Sequence, residues 1–184
     1  MKRHSTRVLL VLIGAVALLM LSACATAPKT AEGKADIRDE AATALRKAKT
    51  SDPSLTDVLN AAAGYAVFPA VGKGGAVIGG AYGKGVLYQN GWAIGYCDLS
   101  QATIGAQLGG QSYTEIICFE TRQSVETFKE GRLQFNAQAT AVALKSGAGA
   151  NAQYRDGVMV FTTDEAGLMA EASIGGQQFT YQAR

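Results

Sequence analysis

Seven of the fourteen residues from Gly72 to Gly85 are glycine, in the run Gly72-Lys73-Gly74-Gly75-Ala76-Val77-Ile78-Gly79-Gly80-Ala81-Tyr82-Gly83-Lys84-Gly85. Glycine weakens a flat, isolated strand, so this many glycines point to bends, bulges or close backbone approach in a curved sheet. Val86-Leu87-Tyr88 follows, then Asn90-Gly91, a strong hairpin-turn signal, then Trp92–Tyr96. A phosphate-loop reading fails on spacing. Neither Lys73 nor Lys84 stands in the required glycine frame, and neither is followed by serine or threonine.

The flanking sequence supplies the rest of the fold. Ile37, Ala41, Ala44, Leu45 and Ala48 recur at helical spacing and predict a helix over Ala35–Lys49. Ser51-Asp52-Pro53 interrupts it. Ser54 with Asp57 resembles a capping box, Leu55, Val58, Leu59 and Ala62 give a second helix, and Gly64 is placed to end it. Strand-like runs are Tyr65–Phe68 (broken by Pro69), Ala102–Leu108, Tyr113–Phe119, Leu133–Leu144, Val158–Thr162, Leu168–Ile174 and Gln177–Tyr181. Arg122–Lys129 is the one later helix expected, and Asp156-Gly157 is a further turn. Gly147-Ala148-Gly149-Ala150-Asn151-Ala152 matches a loose dinucleotide fingerprint, but a strand rather than a helix is expected after it. The predicted class is α+β: N-terminal helices packed on a strongly curved, glycine-rich antiparallel β-sheet or small barrel.

The N-terminus reads as an export signal. Lys2, Arg3 and Arg7 precede an apolar run from Val8 to Leu21, shorter than favours a membrane span. Leu21-Ser22-Ala23-Cys24 resembles the lipobox of bacterial lipoproteins, with Cys24 as the lipidated residue. Ala25, rather than aspartate, follows it, which by the same resemblance points to the outer membrane. The expected organisation is a signal peptide over 1–23, a lipidated tether over 24–34 and a single domain over 35–184.

Removing the signal changes the chemistry. It carries three of the 17 Lys and Arg and none of the 15 Asp and Glu, leaving 14 against 15 and a net charge of −1. A basic stripe for nucleic acid is therefore not expected. The single histidine, His4, leaves with the signal, which removes Ser-His-Asp and Cys-His catalysis and nearly all familiar zinc sites. The mature chain has no Ser-x-x-Lys, and its carboxylates Asp98, Glu115, Glu120, Asp164, Glu165 and Glu171 are scattered. No catalytic residue, metal or cofactor is expected.

Cys97 and Cys118 each lie in a strand-like run. An oxidising compartment lets them pair across neighbouring strands, and they can equally be two separate buried thiols. Lys73 and Lys84 form a candidate basic pair for a lipid headgroup phosphate; the alternative is two surface lysines guarding a sheet edge.

Tyr65-Ala66-Val67-Phe68-Pro69 and the glycine-rich run resemble the opening of the SYLF domain family. The stretch Ala102-Thr103-Ile104-Gly105-Ala106-Gln107-Leu108-Gly109-Gly110-Gln111 resembles its middle motif, and Gly167-Leu168-Met169-Ala170-Glu171-Ala172-Ser173-Ile174-Gly175 its closing strand. The resemblance implies lipid binding through an N-terminal helix and basic residues, here the helix ending at Lys49 with Arg38, Arg46, Lys47, Lys49, Lys73 and Lys84 as candidates. The helix is alanine-rich and the domain is not basic, so only phospholipid binding as a general property carries over. The expectation is an outer-membrane-anchored lipoprotein facing the periplasm, with a non-enzymatic phospholipid-binding domain. The alternative is a structural envelope lipoprotein that binds a protein partner and not lipid.

Overall fold

The computed structural model describes residues 28, 30–75, 78–104, 110–136, 139–164 and 171–184. The signal segment, Cys24, and parts of the middle and closing motifs lie outside the described residues.

Helix α1 spans Ala31–Ser51. It starts four residues earlier than its apolar periodicity suggests, inside the stretch read as tether. Thr30 caps it, its hydroxyl accepting from the Gly33 N–H at 3.1 Å. A short α2 (Leu55–Ala61) follows. Eight strands among the described residues then form one sheet: β1 (Gly64–Gly75), β2 (Ile78–Gln89), β3 (Trp92–Ile104), β4 (Gly110–Phe119), β5 (Thr140–Ala143), β6 (Val158–Asp164), β7 (Glu171–Ser173) and β8 (Gln177–Ala183). Helices α3 (Arg122–Lys129) and α4 (Ala148–Asn151) lie between strands. The strand order is β7-β5-β6-β4-β1-β2-β3-β8, antiparallel except for β5 against β6. The predicted α+β class, helices on a curved, mostly antiparallel sheet, is what the chain adopts.

Two facts measure the curvature. Strands β4 and β8 are separated by three others, roughly 19 Å in a flat sheet at one strand spacing per step. Yet Gln177 on β8 donates to Glu115 on β4 at 3.0 Å. The edge strands β7 and β8 are also joined by only Ile174, Gly175 and Gly176. The sheet is open in its ladder but curled until its edges approach. Glycine makes this possible where layers touch. A Cβ on Gly85 would sit 2.6 Å from the Phe68 ring and 2.7 Å from the Val67 carbonyl, and one on Gly95 would collide with the Tyr181 ring.

Each sheet face buries its own core. Outside, Ile37, Ala41, Ala44 and Ala48 of α1 pack on Tyr65, Val67, Val86, Tyr88 and Ile116. The small alanines let the helix lie close to the sheet. Inside, α3 inserts Val125 and Phe128 against Phe119, Phe179 and Leu133. The rings of Phe119, Phe128 and Phe179 follow one another at about 5 Å.

Two strand predictions are corrected. Pro69 does not end β1. It sits at a register shift against both neighbours, a bulge that tolerates the missing N–H, and its carbonyl accepts from the Thr114 hydroxyl at 2.8 Å. Among the described residues, the run Leu133–Leu144 is laddered only over Thr140–Ala143. Leu133 and Phe135 do turn inward, but into the aromatic plug rather than along a strand partner.

Candidate functional site

The basic residues singled out in the sequence do not form one site. Lys73 on β1 stands opposite Ala81, whereas Lys84 stands opposite Ala70 and Asp98. These are opposite faces of the sheet. Lys73 points inward and is buried; Lys84 is exposed on the outer face. They are not a pair. On α1, Arg38 and Lys49 are half-buried at its flanks.

Arg46 and Lys47 do come together with other groups. They line an open groove of ≈ 1130 Å³ between α1 and the sheet, with Asp39, Glu40, Ala70 and Thr114 among its walls. The Arg46 guanidinium donates to the Thr43 hydroxyl at 2.9 Å, which holds it along the helix. The groove combines two cations, two carboxylates, hydroxyls and an apolar floor.

A second constellation, found only in the folded chain, lies inside the curled sheet. Lys73 is opposite Ala81, Ala81 opposite Gln101, and Gln101 opposite Gln177. Glu115 is opposite Thr162 on the other side, and the Gln177–Glu115 hydrogen bond closes the ring. Tyr113 lies two residues along β4 from Glu115. All six polar residues are buried. The Gln101 amide donates to the Gly175 carbonyl at 2.8 Å. Tyr113 Oη, Glu115 Oε1, Thr162 Oγ1 and Gln177 Oε1 have no hydrogen-bond partner among the described residues. Burial pushes the Glu115 carboxyl up to about 7, against the opposing pull of the Gln177 amide and the Lys73 ammonium. Burial likewise raises the Tyr113 phenol, with Glu115 adding to it. The sequence did carry a faint signal for this layer. Lys73, Glu115 and Gln177 each occupy the inward phase of an otherwise apolar alternation with Val71, Ile117 and Phe179.

Cys97 and Cys118 are both free and fully buried. The bridge considered between them is ruled out by strand order. Strands β1 and β2 lie between β3 and β4, three spacings or roughly 14 Å, and the two thiols belong to the inner and outer cores respectively. Burial raises both thiols, Cys118 to about 12. In a chain beginning at residue 25, neither thiol should react with a bulky aromatic disulfide reagent at neutral pH until the protein is unfolded. Both should then titrate without added reductant. An unfolded chain with no free thiol would contradict this.

Among the described residues no group of three or more His, Cys, Asp or Glu could hold a metal ion, and no helix is long and apolar enough to cross a membrane. The architecture defines a class: a curled, glycine-rich sheet with an N-terminal helix outside and a helical plug within. Residues 100–183 match the family model described as Ysc84, the Las17-binding protein actin regulator. The chain is also similar to the beta cell expansion factor A of Aeromonas veronii, 29% identical over 154 residues, which cover 83% of this chain. The match spans 59% of the length of that relative. Residues 100–183 thus carry a SYLF (Ysc84) domain match, and the relative is of the same family.

Proposed function

We propose that this chain is a lipoprotein held to the outer membrane through Cys24, its domain in the periplasm, and that the domain binds phospholipid without catalysing a reaction. The observation that carries the lipid reading is the groove beside α1. Arg46 and Lys47 offer a phosphate two cations in a groove that Thr43 and Thr114 also line. Asp39 and Glu40 further along the same wall repel simple polyanions and suit a headgroup that also carries an ammonium. An apolar floor between them accommodates the glycerol and the start of the acyl chains.

The test is co-sedimentation of the chain from residue 25 with vesicles of phosphatidylethanolamine, phosphatidylglycerol or cardiolipin. Binding is expected, and Arg46→Glu with Lys47→Glu should weaken it about tenfold, equivalent to about 1.4 kcal/mol. Raised salt should weaken wild-type binding in the same direction. Absence of binding to all three vesicle types, or a double variant that binds as wild type does, rejects the groove. Stable capture of an envelope protein without vesicle binding would put the interaction-lipoprotein reading in its place.

A further inference from the structure

Trp92 is the only tryptophan in the chain and is 75% exposed. A ring of that size is seldom left in water without a partner. It begins β3 directly after the Asn90–Gly91 turn, whose two residues have φ of 50° and 78°, so a tight hairpin holds it. No carboxylate occurs between Gln89 and Tyr96.

This end of the sheet is also where α1 begins. The Lys34 ammonium lies 5.2 Å from the centroid of the Tyr96 ring, four residues along β3 from Trp92, or roughly 13 Å. The C-terminal half of α1 lies instead beside Ala70 and Thr114, on the flank of the domain. Cys24 stands seven positions before Ala31, so no more than roughly 25 Å of chain separates a lipid attached there from the start of α1. Arg184 is at the same end, its backbone N–H donating to the Ile94 carbonyl at 3.1 Å. An amphipathic ring at the same end of the sheet as Lys34 and Arg184, within tether reach of an acyl anchor, matches the aromatic and cationic pattern of a membrane–water interface.

We propose that the Asn90–Gly91 hairpin end is the membrane-facing end of the domain, with Trp92 seated among the lipid headgroups of the leaflet that holds Cys24. This rests on the anchored-lipoprotein reading and is independent of the Arg46–Lys47 groove. It assigns the domain an orientation: the hairpin end down, the glycine-rich β1–β2 end away from the bilayer.

Because Trp92 is alone, its fluorescence reports this one position. The full acylated chain, purified from membranes, is reconstituted into phosphatidylethanolamine–phosphatidylglycerol vesicles and floated on a density gradient. The expected result is flotation with a blue-shifted emission, quenching by brominated acyl chains, and loss of quenching by aqueous iodide. Lys34→Glu with Arg184→Glu should reverse the shift in part while flotation persists. A chain that floats with Trp92 still quenched by iodide overturns this orientation and leaves the anchor standing. Shielding from iodide without quenching by brominated lipid means that a second copy covers the ring, and overturns it too. A chain that fails to float overturns the anchored reading and this inference with it.

Discussion

At pH 8 the Glu115→Gln protein is expected to be more stable than the wild type, by up to about 3 kcal/mol, and the advantage should shrink to almost nothing by pH 4. The unfolded chain titrates this carboxyl near 4.5, whereas burial raises it to about 7 in the folded chain. Between those values the folded protein holds a proton that the unfolded chain has released. The stabilisation from that proton is complete below pH 4.5, declines as pH rises through about 7, and is absent above it. The interval of 4.5 to about 7 sets the magnitude. Glutamine keeps the acceptor facing the Gln177 amide and places a donor where Glu115 Oε1 stands without a partner, beside acceptors on Thr162 and Tyr113. Lys73 loses the Glu115 carboxylate in the exchange, so the realised gain is below the limit. Denaturant midpoints measured from pH 5 to pH 8 should fall for the wild type and stay nearly level for the variant. Parallel profiles would mean that Glu115 reaches water in the folded protein and that the inner ring is not the sealed layer its geometry indicates.

The inner ring also shows where sequence reasoning stops. Asn90-Gly91 and Asp156-Gly157 were legible because a left-handed turn is written in the two residues that make it; Asn90, Gly91, Asp156 and Gly157 all have positive φ. The face of α1 was legible because Ile37, Ala41, Ala44 and Ala48 carry it within one element. The curled sheet was legible in kind, since glycines at such density have few other uses. What needed strand order or register was not legible. Lys73 and Lys84 are eleven positions apart, and one step of register decides whether they share a face. Cys97 and Cys118 look like neighbours in sequence, but β1 and β2 lie between their strands. The ring takes its members from β1, β3, β4, β6 and β8, and no local pattern joins Gln177 to a carboxylate 62 residues earlier. For the same reason Glu115 read as one more scattered carboxylate. The groove was half legible: Arg46 and Lys47 stood among the basic candidates, but the sheet wall that completes it could not be placed.

Asp52→Ala should destabilise the domain by about 3 kcal/mol, the second large effect expected, and from a residue that read as a mere break between helices. Its carboxylate is the hub of a long-range cap. Oδ1 accepts from the Ser54 hydroxyl at 2.6 Å, the Ser54 N–H at 3.1 Å and the Gly147 N–H at 3.1 Å; Oδ2 accepts from the Gly149 N–H at 2.6 Å. The Ala150 N–H then donates to Ser54 Oγ at 3.0 Å. The expected capping box of Ser54 with Asp57 does not form, because the Ser54 hydroxyl is committed to Asp52. The strand expected after Gly147-Ala148-Gly149-Ala150-Asn151-Ala152 does follow, as β6, but the stretch itself holds the helical turn α4, and its Gly147 and Gly149 N–H groups are filled by the protein's own carboxylate. Gly149 is required there, since a Cβ would come within 2.9 Å of Ser54 Oγ. Alanine at position 52 leaves these donors facing a void, and lost hydrogen bonds to a charged acceptor account for the magnitude. Asparagine should recover only part, because its amide NH₂ must confront either the Gly147 or the Gly149 N–H. Burial tends to raise the Asp52 carboxyl, but the Ser54 hydroxyl with the N–H groups of Gly149, Gly147 and Ser54 outweighs it and lowers the value below 3.8. The stabilisation is therefore present above pH 3.8 and is lost as pH falls through the lower folded value. Wild-type stability should bend downward on that acid side, and Asp52→Ala should not share the bend. Hydrogen exchange gives the local readout: the Gly147 and Gly149 amides should lose protection in the variant, while those of β1 and β4 change only with the global stability. An Asp52→Ala protein with protected Gly147 and Gly149 amides would show that α4 is held by packing alone, and that the junction between α1 and α2 is not tied to it through Asp52.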